Sequence, residues 1–325
     1  MKIKVNKGKS TEYSICLEPD FENLKKALEP LETKERKICI VADSITAGLY
    51  LQPLKESLEG CCRQISQFVF QAGEKHKTLD TVKDLYEHLI LEKYDRKDLL
   101  MALGGGVVGD LTGFAAATYL RGIRFVQVPT TLLSQVDSSI GGKTGVDFDA
   151  YKNMVGAFHM PSLVYMNLET LKSLPERQFA SGMGEIIKHG LIQDNAYYQW
   201  LTEHGQEIAD REYDALLYMV SGSCQIKKHV VEQDPTEQGI RSWLNFGHTI
   251  GHAVEKLKEF TLCHGECVAI GSVAAAWISR ERGYLTGDEL LQIEKVFQNY
   301  HLPVRVGGLE PDRILEATKL DKKIE

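Results

Sequence analysis

The chain has 325 residues, of which 43% are hydrophobic and 26% are charged, a composition typical of folded globular proteins. At about 100–200 residues per domain, this length predicts two domains. The 38 basic and 45 acidic residues give a net charge of −7, which argues against binding to nucleic acids or anionic membranes, because such proteins are basic. An anionic small-molecule ligand would therefore need a local cluster of basic side chains.

Membrane and export signals are weak in this sequence. No run reaches the roughly 18 apolar residues that cross a bilayer, and the nearest candidate, 267–278, is rich in small residues and predicts a buried helix. The first residues alternate polar and apolar side chains, which predicts a strand rather than a signal peptide. The seven cysteines show no disulfide framework, so we expect reduced thiols in a cytoplasmic protein.

The first half of the chain alternates predicted strands and helices. Such alternation is typical of a mostly parallel sheet covered by helices on both faces. We therefore expect an α/β domain over residues 1–173. Apolar, β-branched runs predict the strands, and apolar residues at helical spacing predict a helix: strands at 37–43, 64–70, 98–103 and 124–128, and a helix at 78–94.

The second half has helical periodicity almost throughout. We place the domain boundary near 171–175, where no Gly-, Ser- or Pro-rich linker occurs. Residues 174–325 are expected to form an all-α domain. The predicted helices are 176–193, 196–209, 215–232, 242–258, 266–282 and 287–299.

A glycine-rich turn follows the third predicted strand. Gly104, Gly106 and Gly109 match G-x-G-x-x-G, a pattern that lets the backbone and a helix N-terminus approach a pyrophosphate, although glycines also form plain strand-to-helix connectors. The next strand ends without the acidic residue that a Rossmann site places there. We therefore expect a nucleotide site of another kind, in which Asp43 either contacts a ribose or caps a helix.

Histidines and one carboxylate in the second half suggest a metal site. His248 and His252 are four residues apart, which places them on one face of a helix. His264 precedes the next helix, and Glu185 lies in an apolar helical segment. Three nitrogen or oxygen ligands with one open position are typical of catalytic zinc. The spacing leaves open which three of these four bind the ion, and two further candidate ligands flank His264: Cys263 and Cys267.

Several basic residues occur in contexts that are unusual for surface cations. Lys143 follows a second glycine turn, Lys188 lies one turn after Glu185, and Arg241 precedes Asn245 by one turn. Together they would form a pocket for phosphate and carboxylate groups. The residues in this prediction are Lys143, Lys152, Lys188, Lys227 and Arg241.

Long motifs in the chain resemble those of the 3-dehydroquinate synthase family. They are GGVVGD at 105–110, RG at 121–122, PTTLL at 129–133, VDSSIGGKT at 136–144 and NFGHTIGH at 245–252, within a resemblance that extends from about residue 38 to residue 323. The resemblance implies a homodimeric lyase that uses NAD and Zn²⁺ or Co²⁺. It also implies that residues 1–173 form the nucleotide-binding domain and that residues 174–325 form the domain that binds metal and substrate. Its substrate would be 3-deoxy-D-arabino-heptulosonate 7-phosphate. Transient oxidation by NAD, phosphate elimination, reduction and intramolecular aldol closure would yield 3-dehydroquinate in the shikimate pathway.

The resemblance also implies roles for individual residues. The metal ligands would be Glu185, His248 and His264, with His252 near the reacting hydroxyls, and Arg121 would act across a dimer interface. The implied substrate contacts are Asp137, Lys143, Lys152, Asn153, Lys188, Lys227, Arg241, Asn245 and Lys322 or Lys323. The implied NAD contacts are Asp43, Glu74, Lys77, Gly105, Gly106, Val107, Gly109, Asp110, Thr130, Thr131, Lys143, Lys152, Thr170, Leu171, Lys172 and Ser173.

Three alternatives compete with this interpretation. Another sugar phosphate cyclase would share the fold and cofactors, but the carboxylate-binding candidates Lys188, Lys227 and Arg241 argue against it. A metal-dependent polyol or glycerol-phosphate dehydrogenase would release NADH and would need no dense anion pocket, and a non-catalytic homologue would not turn over. We also expect the chain to be truncated or naturally short after the DKK motif at 321–323, because the family continues further.

Overall fold

The computed structural model describes residues 1–8, 10–149, 151–235 and 237–319. The chain forms two compact units, Met1–Ser173 and Leu174–Glu325. The first unit is α/β, and in the described part of the second unit the secondary structure is helical, with no strand. The predicted fold class is therefore confirmed.

The first unit is built on nine strands, counted over its described residues: β1 Lys2–Lys7, β2 Ser10–Glu18, β3 Lys37–Asp43, β4 Gln64–Phe70, β5 Leu99–Gly104, β6 Arg124–Pro129, β7 Lys143–Phe148, β8 Tyr151–Phe158 and β9 Leu163–Asn167. Seven of them form one sheet in the order β1-β2-β9-β6-β5-β3-β4. β1 pairs antiparallel with β2, and all other neighbours in this sheet are parallel. β7 and β8 form a separate antiparallel hairpin.

The α-helices of the described residues fall into both units. The first unit contains α1 Leu24–Leu28, α2 Ser44–Thr46, α3 Gln52–Ser57, α4 Leu79–Leu91 and α5 Gly106–Thr118. The second contains α6 Glu176–Gln193, α7 Asn195–Glu203, α8 Gly205–Ala209, α9 Tyr213–Gln233, α10 His248–Leu257, α11 His264–Glu281, α12 Gly287–Asn299 and α13 Pro311–Thr318. None of these described helices has the length and apolar character of a membrane span.

Two apolar layers cover the opposite faces of the sheet. Side chains alternate between the faces of a strand, so Cys39 and Val41 of β3 pack in the layer that includes α4 and α5. Ile38 and Ile40 pack on the other face, in the layer that includes α1 and α3. Burial on both faces explains why the central parallel strands are continuously apolar rather than alternating.

Glycines set the close packing of three helices in the second unit. A Cβ atom on Gly265 of α11 would lie 1.8 Å from the carbonyl oxygen of Ser181 in α6. A Cβ atom on Gly271 of α11 would lie 1.9 Å from the carbonyl oxygen of Gly247, which caps α10. The backbones of α6, α10 and α11 can approach this closely only because these positions lack side chains.

Two predicted helices differ from the structure. The helix predicted at 242–258 is wrong at its start, because Ile240–Asn245 is a 3₁₀ helix and Gly247 has a φ of 76°. This left-handed residue interrupts the helix, and α10 begins at His248. The helix predicted at 196–209 is two helices, since His204 leaves the helical conformation between α7 and α8.

Replacing Gly265 with alanine should destabilise the second unit by about 1–3 kcal/mol, the usual cost of overpacking a close contact. The added Cβ would push α11 away from the Ser181 carbonyl. Tryptophan fluorescence during urea unfolding measures this loss, because Trp200, Trp243 and Trp277 all lie in this unit. Gly287→Ala is the matched control, since a Cβ there meets no atom within 4 Å. Equal unfolding midpoints for the two variants would contradict the expected result.

Candidate functional site

The carboxyl edge of the sheet brings together the predicted nucleotide-binding segments of the first unit. β3, β5 and β6 are neighbours and end at Asp43, Gly104 and Pro129. The N–H of Thr130 donates to the carbonyl of Gly104 at 3.0 Å. In an open parallel sheet, ligands bind outside this edge, so the fold places the predicted segments where a nucleotide site is expected.

The glycine turn begins α5 without a capping side chain. Gly105 is the N-cap residue, and glycine offers no side-chain acceptor to the N–H groups of the first helical turn. A Cβ on Gly105 would lie 3.1 Å from Thr131, and one on Gly106 would lie 3.2 Å from the Ser138 hydroxyl. The turn is therefore narrow, and its helix N-terminus suits an anionic group such as a pyrophosphate.

Asp43 caps the N-terminus of α2, which is one of the two roles predicted for it. Its Oδ1 accepts hydrogen bonds from the N–H groups of Ile45 at 2.9 Å and Thr46 at 2.8 Å. The Thr46 hydroxyl in turn donates to the Leu103 carbonyl at 3.1 Å, which ties α2 to β5. The cap is confirmed, and a contact between Asp43 and a ribose stays a prediction.

Lys77 is the centre of a buried polar network in the first unit. Its Nζ donates to Asp110 Oδ2 at 2.7 Å and to Asn153 Oδ1 at 2.6 Å. Asp147 links the same segments, because its N–H donates to the Lys77 carbonyl at 2.8 Å and its Oδ1 accepts from the Asn153 N–H at 2.8 Å. Predicted residues from three separated segments thus meet at one position.

The charges of this network stabilise one another. Burial opposes the charge on Lys77, but Asp110 and Glu74 outweigh it and raise the pKa of Lys77 above its ordinary value. Burial raises the pKa of Asp110, and Lys77 opposes that change. Glu74 also lies 3.8 Å from the Lys152 ammonium.

The other predicted residues of the first unit vary in exposure. Thr170 and Leu171 are fully buried, so their side chains belong to the core, whereas Lys172 is half-exposed and pairs with Glu169 at 2.6 Å. The Ser173 hydroxyl hydrogen-bonds to that of Tyr50. Val107 and Gly109 lie in α5, and Arg121 lies on the turn that follows it. Thr131 and Asp137 lie between β6 and β7, and Lys143 is the first residue of β7.

Three helices of the second unit bring the predicted metal ligands together. Glu185 lies within α6, His248 begins α10 and His264 begins α11. Oε1 of Glu185 lies 3.5 Å from His248 Nε2 and 3.5 Å from His264 Nε2. Glu185 and His248 are buried, and the His264 side chain is 28% exposed. The structure therefore forms a compact cluster of one oxygen and two nitrogen donors.

This cluster fits a divalent metal ion. Ligand atoms about 2.0–2.2 Å from a tetrahedral zinc lie roughly 3.3–3.5 Å apart, which matches both distances to Glu185. Oε1 of Glu185 is buried and accepts no hydrogen bond from the described residues. His248 Nδ1 lies 3.1 Å from the Phe246 carbonyl, which can only accept a hydrogen bond, so Nε2 keeps its lone pair for the cluster.

Electrostatics at the cluster favour positive charge. Burial opposes ionisation of Glu185, but Lys188 and the two histidines hold its pKa well below the usual range. Burial also opposes a charge on His264, yet Glu185 and Glu255 raise the pKa of His264 to about 10. The field that favours a proton here also favours a metal cation.

Glu255 is a residue that the sequence reasoning missed. It lies seven residues after His248, on the same face of α10, and its Oε2 is 3.5 Å from His264 Nδ1. The signal was present in the sequence, because residues at i, i+4 and i+7 share one helix face. His248, His252 and Glu255 follow this spacing.

The predicted basic residues Lys188, Lys227 and Arg241 of the second unit are buried, and Asn245 is half-buried. Lys188 Nζ donates to Leu244 O at 2.6 Å and also pairs with Glu185. Arg241 donates to the Pro235 carbonyl at 2.7 Å, and Asn245 Nδ2 donates to Glu237 Oε1 at 3.3 Å. Lys227 is 5% exposed on α9. Lys322 lies outside the described residues.

The remaining candidate ligands are His252, Cys263 and Cys267. The ring of His252 lies 5.1 Å from that of His248 and 6.1 Å from that of His264. Cys263 is the N-cap residue of α11, and Cys267 packs in an apolar cluster with Val254. The metal-ligand groups formed by described residues around His264 contain no cysteine.

Two protein-family models match adjacent parts of this chain. The model described as 3-dehydroquinate synthase N-terminal matches residues 67–181, and the model described as 3-dehydroquinate synthase C-terminal matches residues 182–324. A 3-dehydroquinate synthase from Acetivibrio thermocellus is 41% identical over 325 residues, which cover 100% of this chain and 90% of that protein. The chain belongs to the 3-dehydroquinate synthase family. The resemblance seen in the sequence motifs is therefore confirmed.

Two solved structures that are similar to this chain contain NAD⁺ and a metal ion. A 2-deoxy-scyllo-inosose synthase complexed with carbaglucose-6-phosphate, NAD⁺ and Co²⁺ is 25% identical, with a TM-score of 0.86 and coverage of 100% of this chain and 88% of that chain. A 2-epi-5-epi-valiolone synthase from Streptomyces hygroscopicus with NAD⁺ and Zn²⁺ is 29% identical, with a TM-score of 0.88 and coverage of 98% and 88%. The fold is thus that of the sugar phosphate cyclases.

Proposed function

We propose that this chain converts 3-deoxy-D-arabino-heptulosonate 7-phosphate to 3-dehydroquinate and phosphate as an NAD- and metal-dependent lyase. The observation that carries the proposal is the buried Glu185–His248–His264 cluster in a member of the 3-dehydroquinate synthase family. Relatives that bear this name align along the full length of the chain.

The residues of each unit suit one of the two cofactors. The glycine turn, with Lys77 and Asp110 beside it, would hold the dinucleotide, and Glu185, His248 and His264 would hold Zn²⁺ or Co²⁺. When bound, NAD⁺ accepts and returns a hydride, and the metal ion polarises hydroxyl groups of the substrate. Because NAD⁺ is regenerated in each turnover, tight binding serves this reaction better than rapid exchange.

Buried cations would bind the charged groups of the substrate. A phosphate and a carboxylate together carry about three negative charges at neutral pH. Lys188, Lys227 and Arg241 are each at most 5% exposed, so they would bind an anion in a site of low polarity, where ion pairs are strong. These residues would hold the substrate while the net charge of the chain remains negative.

Another sugar phosphate cyclase activity is the second candidate. The similarity to a 2-deoxy-scyllo-inosose synthase complexed with carbaglucose-6-phosphate favours it. A glucose phosphate has no carboxylate, however, so it would leave the cations that bind this group without their anion. The substrate carboxylate therefore separates the two candidate functions.

The test is phosphate release by the full chain with NAD⁺ and Zn²⁺ or Co²⁺. We expect phosphate and 3-dehydroquinate to form together from the heptulosonate phosphate, with no net NADH. Glucose 6-phosphate and sedoheptulose 7-phosphate should release none. Accumulation of NADH would instead indicate a dehydrogenase, and preference for a sugar phosphate without a carboxylate would indicate another cyclase.

We further propose a cytoplasmic homodimer in which Arg121 contributes to the site of the partner subunit. Arg121 is exposed, with a φ of 68°, on the turn that follows α5. Its guanidinium is therefore available to a second copy of the chain and can bind phosphate through two parallel hydrogen bonds. Sedimentation equilibrium tests the dimer, and a monomer at micromolar concentration would refute it.

His252→Ala should lower turnover about 100-fold or more while most of the bound metal remains. His252 lies one helical turn after His248 with its ring 5.1 Å away, so it can reach the reacting groups without binding the ion. A general acid or base contributes roughly 10²–10⁴-fold to a rate. Metal content by mass spectrometry and turnover are measured on the same preparation. Metal loss equal to that of a ligand variant would show that His252 is itself a ligand.

A further inference from the structure

We infer that Glu255 is the positioning residue of the metal centre: its carboxylate holds the Nδ1 side of His264, so that Nε2 faces Glu185. The inference rests on the proposed metal-dependent function. It deepens that function, because it identifies which residue sets the tautomer and ring orientation of one ligand. Such outer contacts typically change metal affinity 10–100-fold when they are removed.

The sequence of α10 places Glu255 correctly for this role. His248, His252 and Glu255 lie at i, i+4 and i+7, so they share one face of the helix. α11 packs against α10 through Gly251, where a Cβ would lie 2.8 Å from the Cys267 carbonyl. Because the two helices pack closely here, His264 at the start of α11 lies next to Glu255 of α10.

Both nitrogens of the His264 ring face carboxylates. Nδ1 lies 3.5 Å from Glu255 Oε2, and Nε2 lies 3.5 Å from Glu185 Oε1. Glu255 itself is buried. A neutral imidazole carries one proton, and a carboxylate on the Nδ1 side directs the proton there and leaves the Nε2 lone pair for a cation.

Both histidines of the cluster have an oxygen acceptor near Nδ1, but the acceptor differs. His248 has its Nδ1 at 3.1 Å from the main-chain carbonyl of Phe246, which fixes its tautomer. His264 has Glu255 at the corresponding atom. The His264 side chain is 28% exposed, compared with 8% for His248. Packing therefore restrains the His264 ring less, and its orientation depends more on the contact with Glu255.

The main chain at His264 is held by other residues. Glu266 accepts from the Cys263 N–H at 2.6 Å and from Arg177 Nε at 2.8 Å, while Ser181 Oγ accepts from the Gly265 N–H at 3.0 Å. Removing the Glu255 carboxylate should therefore release the ring of His264 without unfolding the start of α11.

A competing use of the same residues is a second metal ion. His252, Glu255 and His264 offer donor atoms within 4.8 Å of one another, so Glu255 could bind a cation directly. The two uses differ in stoichiometry, because positioning requires one ion per chain and direct binding requires two.

The experiment compares Glu255→Ala and Glu255→Gln in the full chain, with Glu259→Gln as the matched control. Glu259 is exposed, and its substitution removes the same charge four residues away. Affinity for Co²⁺ is measured by competition with a chelator. ¹⁵N NMR of histidine-labelled, Zn²⁺-loaded protein reports which nitrogen of His264 carries the proton, and the His264 signal is assigned by its loss in His264→Ala.

We expect Co²⁺ affinity to fall about 10–100-fold in Glu255→Ala and the proton of His264 to move from Nδ1 toward Nε2. Glu255→Gln should lose less affinity, because its amide oxygen still accepts a hydrogen bond. The control should match the unsubstituted chain. A purely structural role would lower stability without this shift in tautomer.

Two results would overturn the inference. One is a folded Glu255→Ala, or Glu255→Met where the alanine variant does not fold, with the affinity and tautomer of the unsubstituted chain. The other is two Co²⁺ ions per unsubstituted chain and one per Glu255→Ala chain, which makes Glu255 a ligand. Neither measurement uses substrate, so a chain that behaves as expected here but forms no 3-dehydroquinate supports the positioning role and refutes the proposed function.

Discussion

Replacing His264 with alanine should remove the bound metal and the formation of 3-dehydroquinate together. The variant lacks one of three donors, and the Glu185–His248 pair that remains cannot complete a tetrahedral site. A metal that polarises a reacting oxygen contributes several kcal/mol to catalysis, so turnover should fall about 1,000-fold or more. Metal content by mass spectrometry and phosphate release are the two measurements.

The control for this prediction is NAD⁺ binding. The predicted NAD contacts all belong to the first unit, whereas His264 belongs to the second, so the affinity for NAD⁺ should stay within about twofold of the unsubstituted chain. Full metal occupancy in His264→Ala would refute the ligand assignment. Loss of NAD⁺ binding together with the metal would indicate general unfolding rather than loss of a ligand.

The four neighbouring strands β3 to β6 of the central sheet were predictable from sequence because their signals are local, whereas β2 and β9 were not predicted. β3 and β4 match the predicted bounds at both ends, since buried parallel strands are continuous apolar runs between polar turns. The hairpin of β7 and β8 was not predicted, because β8 alternates exposed and half-buried residues and the preceding glycines at 141 and 142 suggested only a turn. Short-range patterns do not show which strands pair outside the main sheet.

The candidate metal cluster was predictable in composition but not in detail. Histidine spacing identified His248 and His264 as candidates, yet spacing alone could not exclude His252. The choice depends on the helix start at His248, which Gly247 imposes through its positive φ. Glu255 was missed because its partner is on another helix, and the contact depends on glycines that let α10 and α11 approach.

Breaking the buried polar network around Lys77 should cause a large loss of stability in the first unit. Lys77→Met should destabilise the first unit by about 3 kcal/mol, near the lower end of the range for breaking a buried ion pair. The ammonium is 4% exposed and pairs with Asp110, whose side chain is 18% exposed. Methionine nearly preserves the length of the side chain but leaves the Asp110 carboxylate and the Asn153 amide oxygen without their donor.

The effect of pH follows from the sign of the Asp110 shift. Burial raises the pKa of Asp110 above its ordinary value, so the ionised carboxylate costs stability as pH rises through that pKa. Lys77 offsets this cost in the unsubstituted chain. In Lys77→Met the pKa of Asp110 should rise further, and the stability deficit should shrink as the pH falls through that raised pKa, because the carboxylate takes up a proton.

A double variant separates loss of the ion pair from loss of packing. Adding Asp110→Asn to Lys77→Met removes the uncompensated buried charge, which is the main cost of breaking a buried ion pair. Hydrogen exchange of peptides covering residues 99–118 should therefore be fast in Lys77→Met and close to that of the unsubstituted chain in the double variant, compared at equal pH. Tryptophan fluorescence cannot serve here, because all three tryptophans lie in the second unit. If the double variant exchanges as fast as Lys77→Met, the lysine stabilises the unit through its packing, and the buried charge of Asp110 is not the cause of the loss.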